Sequence, residues 1–152
     1  MSGKLKHKYY ILLTAARNEE KNIEKTIESV ISQSIRPIQW IIISDGSTDR
    51  TDDIVLSYAK KNKFIKFFRA SGDKNHNFGS KVKAINFAKN QINLKEYDYI
   101  GVLDADVSFS SSYFEELINR FENNQYLGIA GGIIYEIYNN KKIKQSIDIN
   151  SV

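Results

Sequence analysis

The sequence predicts an α/β protein with a mostly parallel sheet and helices on both faces. Three observations predict it. Short apolar runs of strand-like composition alternate with segments whose apolar residues recur at helical spacing; the connections are short; and polar clusters follow three of the strands. Such alternation calls for right-handed crossovers and gathers ligand-binding residues at the carboxyl ends of the strands.

Tyr9 to Thr14 (YYILLT) reads as the first strand, rich in residues that suit a buried pleat. Polar residues Arg17 to Glu20 follow. Ile23, Ile27, Val30 and Ile31 then fall at i, i+4, i+7 and i+8, one face of a helix that should stop before Pro37, with Asn18 as its expected cap. Trp40 to Ser44 (WIIIS) repeats the pattern. It runs into Ser44-Asp45-Gly46-Ser47-Thr48-Asp49 and a second helix with Ile54, Val55, Tyr58 and Ala59 inward. Phe64 to Phe68 is the third strand, 70–80 is a glycine- and asparagine-containing loop, and Ser80 to Lys89 is a third helix with Val82, Ala84, Ile85 and Ala88 inward. Tyr99 to Leu103 is the fourth strand, expected to be buried in the sheet. Ser112 and Glu115 have capping-box spacing before a helix whose Phe114, Leu117, Ile118 and Phe121 form a core stripe. Leu127 to Tyr138 reads as a strand interrupted at Gly131 and Gly132, where a bulge or close backbone approach is expected.

A length of 152 residues suggests one domain over 1–152, with 1–8 and 139–152 as weakly ordered ends; 41% hydrophobic residues suffice for a core. No apolar run approaches the roughly 20 residues of a membrane span, and the amino terminus lacks the apolar region of a signal peptide. Cytoplasmic residence is the default expectation. The net charge of +4 is concentrated in Lys4, Lys6, Lys8 and Lys141, Lys142, Lys144. These ends suit solvated termini or contact with an acidic membrane face, and no basic-aromatic pattern favours nucleic acid. With no cysteine, a metal must be held by oxygen or by His7 and His76.

Asp104 and Asp106 follow the fourth strand as Asp-x-Asp. If extended geometry persists through them, both carboxylates point to one face and can share a hard cation, Mn2+ or Mg2+. Asp also favours strand-to-loop turns, so the tripeptide by itself fits a structural role too.

Taken together, LLTAARNEEKNIEKTIESVISQS, IIISDGSTDRTDDI, NFGSKVKAINFA, YIGVLDADVSFSSSYFEEL and LGIAGG resemble, in order and approximate spacing over residues 9 to 138, the donor-binding half of the glycosyltransferase family 2 enzymes, which have the Rossmann-like GT-A fold. The resemblance implies inverting transfer of a sugar from a nucleotide diphosphate sugar, UDP-linked by preference, to a saccharide or lipid-linked saccharide acceptor, in the manner of cell-envelope polysaccharide enzymes. It implies that Thr14, Ala15 and Ala16 border the base and that Asp45 accepts a hydrogen bond from the pyrimidine ring. Asp106 is implied as the metal ligand, with Asp104 nearer the ribose and reaching the metal directly or through water. Glu19 either lines the donor site or pairs at the helix start, and Lys81 either approaches the nucleotide or is an exposed helix lysine.

Two departures stand out: Ser44-Asp45-Gly46-Ser47 where many members have two acids, and Arg17 where an aromatic is common. The resemblance also implies that the catalytic base lies in a later segment, so that this chain is a donor-binding half whose open apolar surface self-associates. A non-catalytic nucleotide-sugar-binding module and a nucleotidyltransferase are the competing expectations. A phosphatase would carry Asp-x-Asp after its first strand, and a phosphate-receiving signalling domain does not fit the SDGSTD segment.

Overall fold

The computed structural model describes residues 8–70, 78–139 and 141–144. Its main sheet has four parallel strands in the order β3-β2-β1-β4. β1 is Tyr10–Ala16, β2 Gln39–Asp45, β3 Ile65–Ala70 and β4 Tyr99–Val102. Helices α1 (Ile23–Ile31), α2 (Thr51–Lys61) and α3 (Phe78–Lys89) join successive strands, and α4 (Tyr113–Asn123) follows β4.

β1 and β2 are the central strands, and their continuous apolar runs reflect burial on both faces. Side-chain alternation divides them. Ile11, Leu13, Ile41 and Ile43 face α3 and pack with Ala84 and Ala88. On the opposite face, the Trp40 indole N–H donates to Thr14 Oγ1 at 2.9 Å, and the Tyr10 hydroxyl donates to Ile35 O at 2.6 Å in the connection after α1. Burial pushes the Tyr10 phenol pKa well above its ordinary value. The first two crossings move the chain outward from β1 to β3. The third returns it through α3 to the other side of β1, so the strand order reverses between β1 and β4. In open α/β sheets this reversal parts the loops at the carboxyl ends and leaves a crevice there.

Several expectations require correction. β4 is an edge strand rather than a buried one, with Ile100 and Val102 about half exposed or more. Its close seat against β1 depends on Gly101, because a Cβ there would stand 2.6 Å from Leu12 Cδ2. Val82 is exposed, since Ala84 and Ala88 are the positions of α3 that meet the sheet. Asn18 does not cap α1, whose N-cap position is Asn22. At α4 the Glu115 carboxylate accepts from the Ser34 hydroxyl at 2.6 Å, and the Phe114 N–H is accepted by Gln33 Oε1 at 3.0 Å, so the connection after α1 supplies partners at the helix start.

Residues 1–115 and 116–152 form two compact units. In the second, the expected strand from Leu127 shrinks to β5 (Tyr135–Tyr138), paired antiparallel with β6 (Lys141–Lys144). Asn139 sits at φ 48, the left-handed backbone that a tight hairpin turn demands and that asparagine tolerates. A Cβ on Gly131 would meet nothing within 4 Å, so the expected close backbone approach there does not occur.

Candidate functional site

Two loops at the carboxyl ends of β1 and β2 are built into one another. Three successive amides of the first loop are accepted by side chains of the second: Asn18 N–H by Ser47 Oγ at 3.2 Å, Glu19 N–H by Thr51 Oγ1 at 2.8 Å and Glu20 N–H by Asp49 Oδ2 at 3.0 Å. In return, Asn18 Oδ1 accepts the Thr48 N–H at 2.8 Å, and Glu20 Oε2 accepts the Arg50 N–H at 3.1 Å. Asn18 holds φ 56, which an Asx side chain tolerates better than most, and Gly46 turns the chain after β2 at φ 69. Ser44 Oγ and Ser47 Oγ lie 3.0 Å apart below this turn.

Asp49 is the hinge pin of the arrangement. Its Oδ1 also accepts from the Thr51 N–H at 2.9 Å and the Thr51 hydroxyl at 2.6 Å, covering a first-turn amide of α2. Burial by itself would raise its pKa, but the hydrogen bonds from Thr51 and from the Glu20 amide outweigh that and hold the carboxyl below its ordinary value. Arg69 on β3 secures the far side of the loop, donating to the Asp52 carboxylate and, at 2.9 Å, to Ser47 O. Most of the Ser44–Asp49 cluster is thus scaffold, and one member points elsewhere.

That member is Asp45. It ends β2, is nearly buried, and lies 3.7 Å through Oδ2 from the Arg17 guanidinium at the end of β1. On the other side of β1, the Leu103 N–H donates to Leu13 O at 3.0 Å, which continues the β4 ladder by one residue beyond Val102. One further step brings Asp104 level with Ala15. Here the sequence expectation fails in detail: the chain is not extended through Asp106 but turns at Ala105 and Asp106. The turn has an inner and an outer side, with Ala105 buried and both flanking aspartates exposed.

The expected site residues divide accordingly. Ala15, Ala16, Asp45, Asp104 and Asp106 all fall at the carboxyl edge, on or beside the β1–β4 reversal. Thr14 belongs to the core through its bond from Trp40. The Glu19 carboxylate accepts from Asn22 Nδ2 at 3.2 Å, which is the helix-start alternative, with Glu19 O taking the Asn22 and Ile23 amides. Lys81 belongs to α3, and its side chain lies outside the described residues, as do His7, His76 and most of the 70–80 loop. Arg17 and Thr26 were not singled out as site residues. Thr26 gave a signal: it shares the helical stripe of Ile23, Ile27 and Val30 and is a polar residue with no obvious apolar role.

Among the described residues no third carboxylate or histidine joins Asp104 and Asp106. Two hard oxygen donors on an exposed turn fit a small divalent cation that keeps its remaining positions for water or phosphate oxygens.

The family model described as Glycosyl transferase family 2 matches residues 12–151. Poly-beta-1,6-N-acetyl-D-glucosamine synthase of Staphylococcus epidermidis is 34% identical over 120 residues, which are 79% of this chain and 27% of that protein. The chain spans about a third or less of the length of the curated relatives it matches, 32% and 27% for two of them. Among solved structures, S. aureus TarS in complex with UDP-GlcNAc superposes with a TM-score of 0.61 at 19% identity over 77% of this chain and 32% of that one. The mannosyltransferase PcManGT of Pyrobaculum calidifontis, in complex with GDP-Man and Mn2+, gives 0.63 at 15% identity over 76% and 32%. At these identities the superpositions establish the shared GT-A fold.

Proposed function

Since this chain belongs to glycosyltransferase family 2, we propose that it forms the donor-binding part of an inverting glycosyltransferase that takes a nucleotide diphosphate sugar, UDP-linked by preference. One observation carries the proposal: the strand order reverses between β1 and β4, and Ala15, Ala16, Arg17, Asp45, Asp104 and Asp106 gather at that edge. UDP-GlcNAc in the TarS complex and GDP-Man in the PcManGT complex support a nucleotide sugar as the ligand, without choosing between the bases.

In this reading Asp45 accepts the ring N–H of the base, since an ionised carboxylate is acceptor-only. Arg17, already 3.7 Å from that carboxylate, offsets its charge so that an anionic ligand can approach. Ala15 and Ala16 keep the β1 end low, which leaves room for the nucleoside. Asp104 and Asp106 would hold Mn2+ or Mg2+, which supplies positive charge to stabilise the leaving diphosphate. The PcManGT complex with Mn2+ supports this choice of metal. The acceptor is a saccharide or lipid-linked saccharide, and the base that deprotonates it belongs to a part of the enzyme other than this donor-binding region. Work at the inner face of the membrane belongs to the same reading, and the name of the S. epidermidis relative, a polysaccharide synthase, supports a saccharide product. No helix among the described residues is long and apolar enough to cross a membrane. The half-exposed β4 edge at Ile100 and Val102 supports self-association of this region.

Calorimetric titration with UDP and GDP, each with and without manganese, tests the proposal. Manganese-dependent binding of one nucleotide that disappears in Asp106→Ala is the expected result. Equal binding by wild type and Asp106→Ala removes the metal from this turn, and binding of neither nucleotide by the folded chain removes the donor site.

A further inference from the structure

We propose that Thr26 is a positioning residue for the Asp104–Asp106 turn, holding the main chain on both sides of Asp106 from the middle of α1. Its side chain is fully buried. Thr26 Oγ1 lies 2.9 Å from Ala105 O and 2.8 Å from Val107 O, so its hydroxyl proton is shared between the two carbonyls that flank Asp106. A helical threonine commonly turns its hydroxyl back to its own helix; here the hydroxyl is committed 79 and 81 residues away.

The connection after α1 repeats the arrangement. Gln33 Nε2 donates to Ser110 O at 2.7 Å, Gln33 Oε1 accepts the Phe114 N–H at 3.0 Å, and the Ser34 N–H donates to Ser111 O at 2.8 Å. The β4 ladder ends with the Leu103 amide, and the bonds from Gln33 and Ser34 begin at Ser110. Between them the segment is held from α1 at two places: the Phe109 N–H donates to Ser29 Oγ at 3.4 Å, and Thr26 alone of the two meets the Asp104–Asp106 turn, where the Ala105 side chain is buried. With Ala105 buried and its carbonyl fixed, Asp104 and Asp106 are left on the outer side of the turn. Two carboxylates that must meet one cation depend on this main-chain placement more than on their own rotamers, because a chelating pair held loosely loses the benefit of preorganisation.

The inference rests on the donor-site reading, and its test separates the two. Thr26→Val keeps the shape and removes the hydroxyl, leaving two carbonyls without their donor; Thr26→Ser keeps the hydroxyl and removes the methyl. Both variants of the 152-residue chain are compared with wild type by amide hydrogen exchange across 103–109 and by titration with UDP plus manganese. Thr26→Val is expected to exchange about tenfold faster in that segment and to bind about tenfold more weakly, the effect of one unmade buried hydrogen bond. Exchange in β1 and β2 should be unchanged, and Thr26→Ser should stay close to wild type. If valine prevents folding, Thr26→Ala against Thr26→Ser makes the same comparison. Equal exchange and binding in wild type and Thr26→Val overturn the inference and leave the donor site standing, as does serine failing as badly as valine. A wild-type chain that binds no UDP with manganese overturns the positioning role together with the donor reading, even where exchange rises.

Discussion

Asp49→Ala should cost this protein stability at neutral pH and almost none in acid. The wild-type carboxylate accepts three hydrogen bonds, from the Thr51 amide, the Thr51 hydroxyl and the Glu20 amide, at 2.9, 2.6 and 3.0 Å. Alanine leaves a first-turn amide of α2 and one loop amide without that acceptor. Loss of such a cap costs about 1 to 2 kcal/mol, and the partial exposure of Asp49 favours the lower end because water replaces part of what is lost. The folded pKa lies below the ordinary aspartate value of about 3.9, so the unfolded chain takes up the proton first as pH falls. The stabilisation is therefore complete above that ordinary value and disappears as pH drops through the lower folded one. Urea unfolding of both proteins by circular dichroism at pH 7, 5 and 3 reads it directly: equal gaps at pH 7 and 5, and a smaller gap at pH 3. A gap below about 0.3 kcal/mol at pH 7, or one that stays constant with pH, would refute the assignment of Asp49 as the pin between the two loops.

Two further perturbations probe the site from either side. Gly101→Ala puts a Cβ against Leu12, which is fully buried and has little room to turn aside, so about 1 to 3 kcal/mol and roughly 3 to 10 °C of melting temperature should be lost; an unchanged melt would mean that β4 is not held against β1 as closely as this. Arg17→Ala leaves Asp45 uncompensated beside an anionic ligand, and since the pair is partly exposed, UDP binding should weaken by roughly two- to fivefold; calorimetry showing unchanged or tighter binding would contradict the charge-offset role.

The central half of this fold was legible because burial on both faces writes it into the sequence. YYILLT and WIIIS can be little other than interior strands, and the stripe of Ile23, Ile27 and Val30 fixes α1. β4 was harder: an edge strand with one open face has the same apolar letters as a buried one, and only its place in the strand order distinguishes them. Leu127 to Tyr138 was misread for the same reason. Its isoleucines have strand propensity, but pairing begins only at Tyr135, where β6 supplies a partner.

At the site, the residue types were legible and their duties less so. The sequence shows Asn18, Ser47 and Asp49 as polar loop residues; it does not show that they spend their hydrogen bonds on one another across two loops. Asp45 stands apart from its neighbours only once Arg17 is seen beside it. Extrapolating strand geometry through Asp106 failed because the chain turns soon after the ladder from β1 ends at Leu103, where carbonyls of the turn meet Thr26, a residue far away in the sequence.

Paramagnetic broadening tests the central claim most directly. With the amides of the nitrogen-15-labelled chain assigned and UDP present, substoichiometric manganese should erase the signals of 103–107 first, then those of 15–17 at the end of β1, while α2 and the β5–β6 hairpin keep theirs. Broadening centred on the lysine-bearing hairpin, or on the 44–52 loop with 103–107 untouched, would place the nucleotide and its metal away from the β1–β4 reversal and contradict the donor site proposed here.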